Sequence, residues 1–277
     1  MRKRLVPFLR GLGNFVAVCG LGIGIQPVLH RLLPGAVAGP LAAIVLLVLY
    51  VAGARWIEGR RAVELRAGDS PRGIGIGLVL GIILFSSLMG ILWLAGVYRP
   101  AEWGHWQPLA LALLSALAGS VFEEVIFRGF LFRLIAGLGG NWIALGVTSA
   151  LFGLAHSLNP GATWASSLAV AIEAGLLLGA AYAASGSLWL PIGIHAGWNF
   201  AEGPVFGMEV SGHAGASGWI GGHLQGPAIL TGGAFGPEAS IVAVAVCLVL
   251  ATFYLRKMCR VDAGQWPSLR SGLDAKS

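Results

Sequence analysis

Charged residues are scarce in this chain. Asp, Glu, Lys and Arg together make up 11% of its 277 residues, whereas soluble globular domains carry about 25%. Hydrophobic residues account for 56% of the sequence and the mean hydropathy is +0.80. This composition excludes a soluble globular fold and indicates a protein embedded in a lipid bilayer.

Cysteine is scarce as well, and several functional motifs are missing. The three cysteines show no CxxC spacing and lie in or beside apolar segments, so we interpret them as small hydrophobic residues and not as a disulfide framework. No HExxH motif is present for a zincin-type site. The net charge of +6 includes no basic patch interleaved with aromatic residues, which excludes a nucleic-acid partner.

Apolar runs dominate what is present. A membrane-spanning helix needs about 20 residues, so the chain predicts one all-α domain over residues 1–277, a polytopic transmembrane helix bundle of about eight spans. The fifth and seventh predicted spans are short. The eight are Leu12–Leu32, Ala36–Ala54, Gly73–Val97, Gln107–Leu134, Trp142–Ser157, Ala165–Ala184, Leu188–Glu202 and Ala239–Met258.

The distribution of positive charge predicts the orientation of these spans. With eight spans, all of the 18 Lys and Arg residues except Arg31 and Arg99 fall on one side. Because Lys and Arg are enriched in cytoplasmic loops, we expect the N- and C-termini to be cytoplasmic. The Gly-rich segment 203–238 contains neither Lys nor Arg and is predicted to be an extracytoplasmic loop. The Gly-, Ala- and Arg-rich composition suggests a bacterial cytoplasmic membrane.

Two adjacent carboxylates and a guanidinium interrupt the fourth apolar run, in the sequence Glu123-Glu124-Val-Ile-Phe-Arg128. Charges at bilayer depth are costly, so they mark functional sites by default. Residues four apart share a helix face, so Glu124 can pair with Arg128. A polar contact between helices without chemistry is the alternative for this pair. Glu123 is left without an intrahelical cation, which suits it to proton transfer.

Two further polar pairs lie on other apolar helices. Phe152 and His156 share one face, as do His195 and Asn199. Either pair alone is typical of interhelical hydrogen bonding. Together with Glu123 they supply a general base, two imidazoles and an amide donor, which can activate water and stabilise an oxyanion. Glu123, His156 and His195 also form a possible ligand set for Zn²⁺, and a metal-free site is the alternative.

The other polar residues of the apolar segments are less informative. Glu173 is interpreted either as a group supporting the site or as an interhelical contact. Glu202 is expected to mark a membrane boundary. Four further histidines are expected to be solvated at interfaces or in the Gly-rich loop: His30, His105, His213 and His223.

Glu123-Glu124-x-x-x-Arg128, Phe152-x-x-x-His156 and His195-x-x-x-Asn199 resemble the three motifs of the CPBP (CAAX protease and bacteriocin-processing, Abi) family of intramembrane metalloproteases. The similar core covers residues 107–202, which would hold the catalytic helices. The resemblance implies that Glu123 and His156 activate the attacking water, and that His195 and Asn199 hold the oxyanion or complete a metal site. Glu124, Arg128 and Phe152 would support them. Glu173 departs from the family, which usually has an apolar residue there.

The resemblance implies an intramembrane endopeptidase of the CAAX prenyl protease type, acting on a peptide or prenylated-protein substrate within the lipid bilayer. One alternative is a non-catalytic protein, such as a bacteriocin-immunity factor or scaffold, on the same fold. A minor alternative is a rhomboid-like serine protease, because Gly215-Ala-Ser217-Gly matches that nucleophile sequence. The sequence favours substrate access from the cytoplasmic side. It does not determine the substrate or the oligomeric state.

Overall fold

In the computed structural model, the described residues are 2–104, 109–214 and 218–262. Among the residues named above, His105, Gln107, Gly215 and Ser217 lie outside them. Eleven α-helices and two strands are present in this part of the chain. The helices are α1 (Arg2–Leu32), α2 (Gly35–Gly53), α3 (Ser70–Leu94), α4 (Leu109–Glu124), α5 (Arg133–Gly139), α6 (Asn141–His156), α7 (Trp164–Val170), α8 (Leu177–Ser185), α9 (Trp189–Phe200), α10 (Ala228–Thr231) and α11 (Ile241–Asp262); the strands are β1 (Tyr98–Trp103) and β2 (Ile220–Leu224).

Six helical segments of the described chain are long and apolar enough to cross a membrane. The two remaining predicted spans correspond to the short ones: α6 has 16 residues, and α9 has 12 followed by a π-helical turn. The protein is therefore an all-α integral membrane protein with six candidate spans. These are Leu5–Leu32, Gly35–Glu58, Ala67–Leu94, Leu109–Gly139, Trp164–Ser185 and Ile241–Arg260.

The two strands were not predicted. They pair antiparallel, with Tyr98 opposite Leu224 and Pro100 opposite Gly222, and join the end of α3 to the Gly-rich segment 203–238. The sequence of β2, Ile-Gly-Gly-His-Leu, has little strand propensity because glycine is depleted in strands. Pairing with a segment more than 100 residues away in sequence therefore decides its conformation.

Besides Ala54–Glu58 at the end of α2, three π-helical stretches of the described residues lie beside acidic side chains within the bundle. The first, Val125–Phe132, follows Glu123 and Glu124 directly and leads into α5. The second, Ala171–Leu176, contains Glu173 and joins α7 to α8, and the third, Ala201–Val205, contains Glu202. A π-helical turn shifts the register of the residues beyond it and is frequent at functional sites.

Glycines allow α3 and α9 to touch along their backbones. A Cβ atom on Gly77 would lie 2.5 Å from the carbonyl oxygen of Leu190, and one on Gly81 would lie 2.1 Å from that of Ile194. In the opposite direction, a Cβ atom on Gly197 would lie 2.3 Å from the carbonyl oxygen of Leu78. Small residues four apart permit this close approach in membranes. The crossing fixes the helix that carries His195 and Asn199.

Gly81→Ala should therefore displace α9. The added methyl group meets backbone atoms that cannot rotate away, so we expect the free energy of unfolding to fall by about 1–3 kcal/mol from overpacking. Thermal unfolding followed by tryptophan fluorescence measures this loss. Gly90→Ala is the matched control, because a Cβ atom there has nothing within 4 Å. Equal stability of the two variants would contradict this account of the crossing.

One end of the bundle is held together by a cluster of buried charges, which we call the arginine clasp: Tyr50, Glu58, Arg60, Glu64 and Arg133. Glu58 at the end of the second span accepts bonds from Arg60 at 2.9 Å and from Arg133 at 2.8 Å. Arg60 also pairs with Glu64 at 2.8 Å, and the Tyr50 hydroxyl donates to Glu64. The clasp joins the end of α2 and the start of α5 to the 59–69 loop. Arg60 and Arg133 therefore hold these segments together, in addition to adding positive charge at this end of the bundle.

Candidate active site

The Glu124–Arg128 pair predicted from the four-residue spacing is present. An Arg128 terminal nitrogen lies 2.8 Å from Glu124 Oε1, and neither residue is exposed. The second terminal nitrogen donates to the carbonyl oxygens of Ala174 and Gly175 at 3.0 and 3.2 Å. These carbonyls lie in or beside the second π-helical stretch, so Arg128 fastens the helix of Glu123 to a neighbouring helix. Arg128 is therefore a buried group and does not report on topology.

Phe152 and His156 form one wall of the site. Phe152 is buried, and its ring lies under the Arg128 guanidinium at 4.7 Å and packs against His156 with ring centroids 4.6 Å apart. His156 Nδ1 lies 2.8 Å from the Phe152 carbonyl oxygen. Because a carbonyl oxygen only accepts hydrogen bonds, Nδ1 carries the proton and the neutral ring presents a bare Nε2.

His195 on α9 is oriented in the same manner by a carboxylate. Its Nδ1 lies 3.0 Å from Glu124 Oε1, which also accepts the bond from Arg128. The carboxylate fixes the Nδ1–H tautomer, so the neutral His195 ring also presents a bare Nε2. Glu124 thus links the Arg128 guanidinium to the second imidazole.

Both Nε2 atoms face Glu123. Its Oε2 lies 3.8 Å from His156 Nε2 and 4.0 Å from His195 Nε2. These separations exceed a direct hydrogen bond, and among the described residues Oε2 has no hydrogen-bond partner. The Glu123 side chain is 36% exposed, whereas Glu124 beside it is buried. Oε2 and the two Nε2 atoms are close enough to hydrogen-bond the same water molecule.

A cavity of about 440 Å³ adjoins this cluster. Glu123, His156 and Asn199 line it, and Asn199 lies one helical turn from His195. The structure therefore brings the residues of all three predicted motifs to one cavity from α4, α6 and α9. The remaining lining residues are Phe127, Ala155, Asn159, Val210, Ser211 and His213.

A group of acidic side chains lies behind the histidines. A small cavity bordered by His156 and His195 is also lined by Glu173 and Glu238, and Cys247 Sγ lies 3.9 Å from Glu173 Oε2. Burial raises the pKa of the Glu238 carboxyl. Glu202 is fully buried, and that it marks a membrane boundary stays a prediction. Its helix continues through the π-helical turn and packs inside the protein.

Glu123, His156 and His195 do not form a ready metal centre as placed. Among the described residues, no group of three or more His, Cys, Asp or Glu side chains is arranged to hold a metal ion. The orientation of both imidazoles by a hydrogen bond at Nδ1 is shared by metal sites and metal-free sites. The chemical steps proposed below therefore use water and protein groups.

Sequence reasoning missed the rim of the large cavity. Asn159, Ser211 and His213 line it, although His213 was expected only to be a solvated loop residue. His213 is exposed, as expected, but it lies beside the cavity. No local signal marks these residues, because the Gly-rich segment reaches the site only through tertiary contacts. The α3–α9 crossing did have a signal, namely glycines spaced four apart at 73, 77 and 81.

The fold and the cluster together define an integral membrane protein that carries carboxylates and histidines side by side among its apolar helices. Residues 105–201 match the family model described as "Rce1-like: Type II CAAX prenyl endopeptidase Rce1-like". The match contains all three motifs and confirms the resemblance to the CPBP (CAAX protease) family. The curated proteins and the solved structures compared with the chain gave no match.

Proposed function

We propose that the protein is an intramembrane endopeptidase of the CAAX prenyl protease type, which hydrolyses a peptide bond by direct attack of water. The observation that carries this proposal is the position of Glu123 Oε2 between His156 Nε2 and His195 Nε2. A carboxylate and an imidazole at these distances can share one water molecule and orient it for attack.

In the proposed first step, Glu123 accepts a proton from the water as its oxygen attacks the scissile carbonyl carbon. His156 Nε2 accepts the second hydrogen bond of that water and holds it in place. The carbonyl π bond becomes a lone pair on the oxyanion. Glu123 then returns the proton to the leaving nitrogen as the oxyanion lone pair re-forms the carbonyl and the carbon–nitrogen bond breaks. This releases a carboxylic acid and an amine without an acyl-enzyme, and the acid then loses its proton to solvent.

The oxyanion requires donors on the opposite side of the carbonyl carbon. Asn199 offers its side-chain amide, and His195 donates from Nε2 when it is protonated. The Glu124 carboxylate at His195 Nδ1 supports that protonated form and fixes the plane of the ring. Donors held rigidly in this manner stabilise developing charge because they need no reorganisation during the reaction. Glu124, Arg128 and Phe152 act as positioning residues.

We further propose that α6 and α9 complete an eight-span topology with both termini cytoplasmic in a bacterial membrane. The short helices would cross by using protein surroundings at their ends, which is allowed where backbone is buried in protein. Residues 1–277 then form one domain with the catalytic helices at 107–202 and segment 203–238 outside. The partners are a peptide or prenylated-protein substrate and the bilayer. Zn²⁺ stays a candidate cofactor that a chelator tests.

Cleavage of a fluorogenic farnesylated CAAX peptide by purified protein in detergent tests the proposal. We expect wild-type activity and a loss of about 10²-fold or more in His156→Ala, because water orientation is lost. Ser217→Ala should retain activity, which would separate this site from a rhomboid-like serine site. Activity that resists chelators would argue against Zn²⁺. Absence of wild-type cleavage of CAAX peptides and leader peptides would favour a non-catalytic immunity or scaffold role.

A further inference from the structure

The large cavity reaches the protein surface at one end of the bundle. Four of its lining residues lie outside the α-helices, namely Asn159 after α6 and Val210, Ser211 and His213 in the Gly-rich segment. His213 is exposed. The lining residues on helices are Glu123, Phe127, Ala155, His156 and Asn199. The cavity therefore extends from Glu123 and His156 to the end of the bundle that carries segment 203–238.

The turn from Val210 to His213, which we call the mouth turn, is held firmly in place. The backbone N–H groups of Val210 and His213 donate to each other's carbonyls at 3.0 and 2.9 Å. Asn159 Nδ2 donates to the Ser211 carbonyl at 3.0 Å, and the Gly212 N–H donates to Phe235. Ser211 has a φ of 49°, a left-handed conformation that is uncommon for residues other than glycine. Such backbone strain is often found at functional sites.

The cavity has no lining residue in the arginine clasp at the opposite end of the bundle, which we call the closed end. The arginine clasp lies there, and the buried Glu124–Arg128 pair lies between it and the cavity. Phe130 and Phe132 are fully buried, and they belong to the π-helical stretch Val125–Phe132 that also contains Arg128. The Leu188 N–H donates to the Glu64 carbonyl at 2.9 Å, and Trp189 Nε1 donates to that of Arg66 at 3.0 Å. The start of α9 is thus tied to the arginine-rich loop.

The two ends differ in charge. The closed end carries the arginines of the 55–72 loop together with Arg133 and the basic end of α11, whereas segment 203–238 contains neither Lys nor Arg. Under the positive-inside rule the arginine-rich end faces the cytoplasm. The open end then faces the extracytoplasmic side, which differs from the cytoplasmic access favoured by the sequence.

We propose that the substrate is a peptide segment presented at the extracytoplasmic face, which reaches Glu123 past the mouth turn, with His213 contacting the substrate backbone at the rim. This inference rests on the proposed protease function. A prenylated C-terminus in the cytosol would approach the closed end, so the substrate class becomes a secreted leader peptide or the external part of a membrane protein.

Sidedness can be measured without any activity. In a background with Cys19, Cys247 and Cys259 replaced, Ala214→Cys beside the mouth turn and Ala67→Cys in the arginine-rich loop form a matched pair, because both alanines are exposed. In right-side-out vesicles a membrane-impermeant maleimide should label Ala214→Cys at once and Ala67→Cys only after permeabilisation. Labelling of Ala67→Cys alone would overturn the proposal.

Activity in oriented vesicles supplies the second test. A fluorogenic peptide that is cleaved in detergent and carries a charged, impermeant tag should be cleaved by right-side-out vesicles. Inside-out vesicles should cleave it only after detergent is added. Cleavage confined to intact inside-out vesicles would refute extracytoplasmic access while leaving the protease function intact. Absence of cleavage even in detergent would instead contradict the proposed protease function itself.

His213→Ala tests the contact at the rim. We expect KM to rise about threefold or more with kcat within about twofold, the pattern of a lost binding contact. His223→Ala is the matched control, since His223 is an exposed histidine of the same Gly-rich segment and does not line the cavity. Equal KM values for both variants would remove His213 from the proposal.

Discussion

Glu123→Gln should abolish proteolysis while leaving the fold intact. The substitution keeps the shape of the side chain but removes the carboxylate that is proposed to accept the proton from the water, beside His156 and His195. Loss of a positioned general base lowers the rate by about 10²–10⁴-fold. Single-turnover cleavage of a fluorogenic peptide by purified protein in detergent measures this loss. KM should change little, because Glu123 acts on water.

The control for this variant is Glu209→Gln, which makes the same chemical change at an exposed glutamate of the Gly-rich segment. Its activity and its thermal unfolding should both match the wild type. Glu123→Gln should also unfold at the wild-type temperature, because its side chain is 36% exposed and forms no ion pair within a helix. Retained proteolysis in folded Glu123→Gln would contradict the proposed mechanism.

Arg128→Leu should be strongly destabilising. The substitution leaves the buried Glu124 carboxylate without its cation and removes the donor to the carbonyls of Ala174 and Gly175. Breaking a buried ion pair by removing one partner costs about 3–5 kcal/mol, because the remaining charge is uncompensated. Thermal unfolding followed by tryptophan fluorescence in detergent is the measurement. Activity should fall as well, since Glu124 orients His195.

Two comparisons make this prediction specific. Arg55→Leu removes an exposed arginine and should change the stability by less than about 0.5 kcal/mol. Adding Glu124→Gln to Arg128→Leu removes the stranded charge and should recover part of the stability. Unfolding of Arg128→Leu at the same temperature as Arg55→Leu would show that the buried pair contributes nothing.

The features that could be predicted from sequence are those fixed by local spacing. Hydrophobic runs identified the helical segments. The two predicted spans that are short in the sequence correspond to α6 and α9, which are not among the six helical segments long enough to cross a membrane. A spacing of four residues predicted the Glu124–Arg128 pair because the α-helical repeat brings such residues together. The three motifs were recognised as a family pattern, which the match over residues 105–201 confirms.

The convergence of these motifs was expected only by analogy. Spacing within a helix says nothing about which faces of α4, α6 and α9 meet, or about the relative depths of Glu123, His156 and His195. Packing decides both: the glycine crossing of α3 and α9 places His195, and Arg128 joins the first π-helical stretch to the second. The π-helical turns themselves shift register in a way that residue patterns do not show.

The sequence by itself determined the membrane-embedded helical class and the resemblance to the family, because composition and motif spacing are local properties of the chain. Only the tertiary structure decided that Glu202 is buried and that β1 pairs with β2. It alone also decided that Asn159 and the mouth turn border the cavity beside Glu123 and His156. Each of these depends on contacts between segments distant along the chain, whose free energy is gained only when the helices pack together.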